Sequence, residues 1–480
     1  MSARSILRGG VILTAGNMVG AAASFARNII VARLISVEDF GIAALLALSM
    51  SFVEMVSNLA IDRLLVQARD GDSERMQSTG QAFQAARGIG SAVVLFFAAG
   101  YIAKFFNIQH TAWAFEILAV VPAIRGFIHL DAMRYQREMK FGASAWIEIV
   151  PQLAALGFTV LLGIWLDDYR IMLWVIVLQV TLQVATSHAL ATRKYAWAWD
   201  RAVMRRMIYF GWPLMVNGIL MFIIFQGDKA IVGAAFTMEE LGWYSAAFML
   251  ALAPSLIVAK VLQGLFLPLL AKAQDDRQAF LRRYLLALQG CLLAGLGLAA
   301  SLVVAGPALL ILLYGDRYSE GITVMSLLGL MQGIRIAKAG PMIAAMALGS
   351  TKNAMYSNLV RALTLFLALM LVWWGWGVSA VAGVGVIGEA LGFFVSLILL
   401  KKLVNLPILH LLKAIVLSLT AALALYVFAP FVTDELSLYS QVLVGIAVAG
   451  AAFCSCLLLM PELLGYCRKA IPWRHQTKTN

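Results

Sequence analysis

Charge is scarce in this sequence: only 13% of its 480 residues are Asp, Glu, Lys or Arg, about half the share found in a soluble domain. So little charge beside 62% hydrophobic residues excludes a disordered chain. It also excludes a soluble globule, which could not hide that much apolar surface from water. Cysteine is scarce as well. Cys291, Cys454, Cys456 and Cys467 make no CxxC and no Cys/His cluster, so they read as small thiols buried in apolar helices, not as a disulfide framework or a metal centre. The five histidines, His110, His129, His188, His410 and His475, are scattered, and there is no P-loop, HExxH or GxSxG. Hydrolytic and transferase chemistry therefore have little support. Long polar segments are missing too, and no loop could hold a soluble domain. The apolar stretch from Gly9 to Leu34 is too long for the core of a signal peptide, so it reads as a retained first span.

What is present is apolar length, in runs of the roughly 20 residues a helix needs to cross a bilayer. The chain reads as an all-α integral membrane protein of about 14 spans. They are expected near 10–33, 40–61, 81–104, 113–133, 143–165 and 171–192; then 207–233, 242–267, 284–313, 322–348, 355–376 and 381–400; then 414–432 and 441–460. This gives a first lobe at 1–206, a second at 207–400, and a helix pair with a tail at 401–480. Gly383, Gly385, Gly388 and Gly392 fall inside one span, where small residues let helices pack closely.

The net charge is +12, from 37 Lys plus Arg against 25 Asp plus Glu. On a soluble protein that would suggest nucleic acid; here the positions of the cations matter more. In this topology 25 of them fall on the side of the N-terminus, among them Arg63, Arg69, Arg75, Arg134, Arg137 and Lys140, and two, Arg170 and Arg317, on the other. The positive-inside rule then puts both termini in the cytoplasm. Ten cations remain. Arg33, Lys104 and Arg87 read as snorkelling to an interface, whereas Arg27, Arg125, Lys229, Lys260, Arg335, Lys338 and Arg361 lie deeper. Glu54, Glu116, Asp131, Glu148, Asp228 and Glu389 also fall within spans. Such groups are costly in hydrocarbon and face a cavity or a partner, so acids and bases either pin helices together or line a path. Arg335 and Lys338 share a helix face with no acid one turn away, which suits a bound anion better than a strut. The last two spans carry no Asp, Glu, Lys, Arg or His and read either as a lipid-facing addition or as ordinary scaffold.

An internal repeat organises the first twelve spans. Ile35-Ser36-Val37-Glu38-Asp39-Phe40-Gly41 aligns without gaps with Phe236-Thr237-Met238-Glu239-Glu240-Leu241-Gly242. Each is an outer turn joining two spans, so the repeat predicts two six-helix lobes related by an axis along the membrane normal, with a site between them. At the same offset Arg27-Asn28 falls on Asp228-Lys229.

These segments carry a resemblance. Ala32-Arg33-Leu34 through Phe40-Gly41 is similar to the opening "ARxLxxxDFG" of the polysaccharide transporter, or oligosaccharide flippase, family of the multidrug/oligosaccharidyl-lipid/polysaccharide exporter superfamily. Tyr135-Gln136-Arg137-Glu138-Met139-Lys140-Phe141 resembles the family's inner loop. Phe210-Gly211-Trp212-Pro213, Gly227-Asp228, Leu241-Gly242-Trp243-Tyr244, Phe266-Leu267-Pro268 and Tyr314-Gly315-Asp316-Arg317-Tyr318 resemble its second lobe. The resemblance covers roughly residues 5–350 and does not specify a substrate.

It implies a flippase of the bacterial inner membrane. The cargo would be an undecaprenyl-diphosphate-linked glycan, carried to the periplasmic leaflet by alternating access through a cationic cavity, for exopolysaccharide, capsule or O-antigen. No cofactor is implied, and coupling to H+ or Na+ is left open. The expected partners are membrane lipids and the polymerase and export machinery, not nucleic acid. Arg and Lys suit a diphosphate, the first by its fork and the second by its compact charge. Arg27, Arg125, Lys229, Lys260, Arg335, Lys338 and Arg361 are thus the candidate substrate-binding set, with Arg335 and Lys338 first. Glu54, Asp228 and Glu389 are candidates for orienting these cations or coupling an ion. Trp212, Trp243 and Tyr244 could stack on sugars, although an interfacial belt is the commoner use of such residues. Two alternatives are a cation-coupled multidrug antiporter, which would favour an acid-rich interior, and a membrane glycosyltransferase or polymerase, which would need a large outer loop.

Overall fold

The computed structural model describes the backbone of residues 3–404, 415–418, 420–424, 426–428 and 436–458. The expected span at 414–432 lies partly outside these residues, and the tail with Cys467 lies wholly outside them. Among the described residues there is no strand. Among these residues ten helices are long and apolar enough to cross a membrane, and one bent pair would make an eleventh. A long first helix, residues Ile415–Phe428 and a final helix at Leu438–Leu458 supply further helical segments, so the arrangement is compatible with fourteen spans. Contacts divide the chain into two compact units, Met1–Gly242 and Trp243–Asn480.

The first unit contains α1 (Ala3–Leu34), α2 (Val37–Ser57), α3 (Ile61–Gln67), α4 (Glu74–Phe105), α5 (Ala112–Leu118), α6 (Val120–Gly126), α7 (Asp131–Arg137), α8 (Gly142–Leu162), α9 (Arg170–Ala189) and α10 (Arg201–Ala235). Small residues set its close crossings. A Cβ on Gly88 of α4 would press on the Pro122 carbonyl and on Gly126 of α6. A Cβ on Gly211 of α10 would overlap the Leu59 carbonyl, and one on Gly218 would press on the Met55 carbonyl. α10 therefore packs inside this unit.

The repeated turn is visible in hydrogen bonds. Ser36 Oγ accepts from the Asp39 N–H at 3.0 Å, and Thr237 Oγ1 accepts from the Glu240 N–H at 3.1 Å. Glu240 Oε2 in turn accepts from the Thr237 N–H at 2.9 Å. Both segments thus cap the helix that follows, α2 in one copy and α11 (Met238–Ala271) in the other. The two glycines meet the opposite copy reciprocally: a Cβ on Gly41 would overlap the Met238 carbonyl, and one on Gly242 the Val37 carbonyl. Such an exchange of equivalent positions is what a local two-fold produces.

Two helix breaks depart from the uninterrupted spans expected from sequence. The first follows Ser57. Ala60 adopts φ 48°, left-handed for a residue that is not glycine, and the Asn58 side chain accepts from the Ala60 N–H at 2.8 Å. The second lies at 127–130, inside the span expected at 113–133. The chain bends there by 51° between Gln109–Gly126 and Asp131–Arg137. The freed backbone groups find partners on and beside α9: the His129 N–H donates to Ser187 Oγ at 2.9 Å, and His188 Nε2 donates to the Phe127 carbonyl at 2.9 Å. A break within a membrane is tolerated on that condition.

The second unit continues from α11 with α12 (Arg277–Val304), α13 (Gly306–Tyr314), α14 (Ile322–Ala347), α15 (Lys352–Trp373), α16 (Val378–Val404) and α17 (Leu438–Leu458). The span expected at 284–313 is two helices, because Pro307 opens α13 and cannot donate to the preceding turn. α12 and α14 pack through Gly295 and Gly333, where a Cβ on either would press on the other's carbonyl. Asn353 Nδ2 donates to the Ser396 carbonyl and Ser357 Oγ to the Gly392 carbonyl, each at 2.8 Å, which locks α15 to α16. α17 is seated on this unit at Gly445, where a Cβ would press on Ala305, while Tyr439, Leu443 and Ile446 on other faces are exposed.

Candidate functional site

Three of the sequence-predicted cations converge in the second unit on one carboxylate. Glu389, from the middle of α16, is fully buried. Arg335 of α14 donates to its Oε1 from Nε at 2.9 Å, and its Nη2 lies 2.8 Å from the same oxygen as an ion pair. Lys338, one turn further along α14, reaches Oε2 at 2.7 Å, and Arg361 of α15 has its Nε 3.7 Å from Oε1. The acid missing along α14 itself is thus supplied by a different helix. Gln332 adds an acceptor, taking Arg335 Nη1 at 3.2 Å and the Ser255 hydroxyl at 3.0 Å.

Glycine makes room for the long cationic stems. A Cβ on Gly388 would overlap Thr364 Oγ1 and lie 2.8 Å from Arg361 Cδ, and one on Gly392 would lie 3.5 Å from Lys338 Cδ. The side chains of Glu389 and Arg361 have no exposure, that of Lys338 has 5% and that of Arg335 13%. Three cations around one carboxylate leave a formal excess of two positive charges in a nearly dry place. Counter-charge from an anion would be strongly attracted there.

The first unit holds a cavity of about 380 Å³. Its wall includes both helix breaks, through Asn58, Leu59 and Ala60 on one side and Ile128, His129 and Leu130 on the other. Glu54 and Arg125, both sequence candidates, form an ion pair on this wall, each about a third exposed. Arg87 lines it too, and its Nη1 donates to the Ser57 carbonyl at 2.8 Å, satisfying the broken end of α2. From sequence Arg87 is expected at an interface; the structure sets it on the cavity wall instead, bonded to the Ser57 carbonyl. Asp62, Gln84, Gln136 and Gln183 also line the cavity and were missed. Their only sequence signal was polarity inside or beside apolar runs. Glu148 is there as well, accepting from Gln183 Nε2 at 3.4 Å.

The other candidates are placed elsewhere. Arg27 is buried on α1 and bonded to Gln179 and Ser24. Asp228 is buried and Lys229 half-buried on α10. Lys260 is exposed on α11, and Trp212 is half exposed on α10, whereas Trp243 and Tyr244 are buried. No group of three or more His, Cys, Asp and Glu residues suited to a metal occurs among the described residues.

Residues 30–323 match the model of a family described as "Polysaccharide biosynthesis protein". The chain belongs to that family. A relative within polysaccharide biosynthesis, the "Teichuronic acid biosynthesis protein TuaB" of Bacillus subtilis (strain 168), is 22% identical over 85% of this chain and 86% of its own. Among solved structures the fold is similar to "Lipid II flippase MurJ, inward closed conformation", with a TM-score of 0.69 and 14% identity over 95% of this chain and 100% of that one. It is also similar to an inward-facing multidrug resistance MATE family transporter of the MOP superfamily, with a TM-score of 0.58 and 14% identity over 83% and 98% of the two chains. This polysaccharide biosynthesis protein therefore has the multi-pass, all-helical fold of that exporter superfamily.

Proposed function

We propose that the protein is a flippase that moves a polyprenyl-diphosphate-linked oligosaccharide from the cytoplasmic to the periplasmic leaflet by alternating access. The observation that carries this reading is the excess of two positive charges around Glu389 at mid-length of α14, α15 and α16. A diphosphate must cross hydrocarbon with its charge compensated, and Arg335, Lys338 and Arg361 offer that compensation where a neutral lining could not. The family supplies the polysaccharide context. An inside-negative potential favours outward movement of the anion by about 2.3 kcal/mol per charge per 100 mV, so the direction needs no cofactor. The 25 cations expected on the N-terminal side support cytoplasmic termini, and the flippase reading itself implies a bacterial inner membrane. A cation-coupled drug exporter is disfavoured at this site, because both oxygens of Glu389 are already taken by cations of the chain itself.

Arg335→Glu tests the reading. The variant should insert normally, lose polysaccharide production and accumulate lipid-linked oligosaccharide in the inner leaflet. Wild-type polymer levels from that variant would remove the cluster from the transport path.

A further inference from the structure

We propose that the cavity of the first unit is a glycosyl subsite: it takes neutral sugar residues of the cargo and rejects both the diphosphate and uronates. The inference rests on the flippase reading and names the part of the cargo that this cavity takes.

The chemistry of the wall decides the ligand. Its charged residues are Glu54, Asp62 and Glu148 against Arg87 and Arg125, one acid more than base. Arg125 is already neutralised by Glu54, and Arg87 is committed to the Ser57 carbonyl. The cavity thus carries no cationic surplus for a phosphate, in contrast to the Glu389 cluster. It is rich instead in groups that bond to hydroxyls. Carboxylates accept from them, and amides such as Gln84 and Gln183 both donate and accept.

A wall of carboxylate acceptors and of amides that both donate and accept matches a polyol, which offers both roles on every carbon. A diphosphate offers acceptors only and would meet a wall with one more acid than base. The volume, about 380 Å³, lies at the small end of the range for small-molecule sites and suits one or two sugar rings better than a long glycan.

The test uses the full chain in nanodiscs and three probes: undecaprenyl diphosphate alone, the same lipid bearing N-acetylglucosamine, and the same lipid bearing glucuronate. The wild type should bind the N-acetylglucosamine lipid about tenfold more tightly than the bare lipid, the gain of one or two hydrogen bonds to charged groups. The glucuronate lipid should show no such gain. Asp62→Asn with Glu148→Gln should lose most of the N-acetylglucosamine gain, leave the bare lipid within twofold and improve the glucuronate lipid. The bare-lipid value, with an unchanged melting temperature, reports that the variant is folded. Gln183→Leu, which leaves the acids in place, should also lose the sugar gain but should not rescue glucuronate. Equal wild-type binding of bare and N-acetylglucosamine lipids would overturn the subsite alone, as would variants that weaken every lipid equally. Failure of the wild type to bind any of the three lipids would instead overturn the flippase reading beneath it.

Discussion

The two charged places in this molecule solve opposite problems. Around Glu389 the protein gathers more positive charge than it neutralises and then removes nearly all the water. In the cavity beside Glu54 it roughly balances charge and leaves room for solvent or a ligand. Burial makes the difference consequential, because an ion pair in a dry setting interacts several-fold more strongly than one in contact with water. The first place is suited to holding an anion by field alone; the second is suited to reading shape and hydroxyl geometry. Both are built by glycines that bring helices close, Gly388 and Gly392 in one and Gly88 and Gly126 in the other, but only the first turns that closeness into a surplus of positive charge.

The sharpest way to break this contrast is Glu389→Gln. It removes the carboxylate that three buried cations share, and removing one partner of a buried pair costs about 3–5 kcal/mol. The variant should melt far below the wild type in detergent or nanodiscs. Adding Lys338→Met should recover part of the loss, since it takes away one of the three cations. A melting temperature unmoved by Glu389→Gln would mean that the cluster is hydrated and that the contrast with the cavity is false.

A smaller effect is expected from Gly388→Ala. Its Cβ would overlap Thr364 Oγ1 and crowd Arg361 Cδ, and overpacking of this kind typically costs about 1–3 kcal/mol. The distinctive readout is that Thr364→Ala should relieve most of the penalty. If it does not, Arg361 is the group that cannot yield, and the tight fit at Gly388 serves to fix the guanidinium.

Much of the architecture was legible in the sequence. The apolar runs locate the spans, because bilayer thickness imposes one length on all of them. The repeat was legible as matching residue types, and the structure adds the reason: Ser36 with Asp39 and Thr237 with Glu240 make equivalent caps. The breaks were not legible. Residues 127–131 contain no proline and stay apolar up to His129, and the partners that stabilise the bend, Ser187 and His188, lie some 60 residues away. The site was half legible for the same reason. Helical spacing places Arg335 and Lys338 on one face, but Glu389 comes from another helix, 54 residues beyond Arg335. A pattern along one helix cannot report a partner across the bundle. Arg87 shows the converse: its position near a span end suggests an interface, and only its bond to the Ser57 carbonyl, 30 residues away, sets it on the cavity wall.

The smallest expected effect sharpens the contrast from the other side. Glu54→Gln breaks the pair with Arg125, but each side chain of that pair is 38% exposed. Water in the cavity can solvate the freed guanidinium, so the loss should stay below about 1 kcal/mol, as for other exposed pairs. Salt should shrink it further, because screening acts on charges in contact with solvent, whereas the Glu389→Gln penalty should barely respond to salt. Melting curves of both variants at low and high ionic strength measure this directly. If Glu54→Gln proved as costly and as insensitive to salt as Glu389→Gln, the cavity would be as dry as the cluster. Its acids would then be structural struts, and a sugar would have no water to displace on entering.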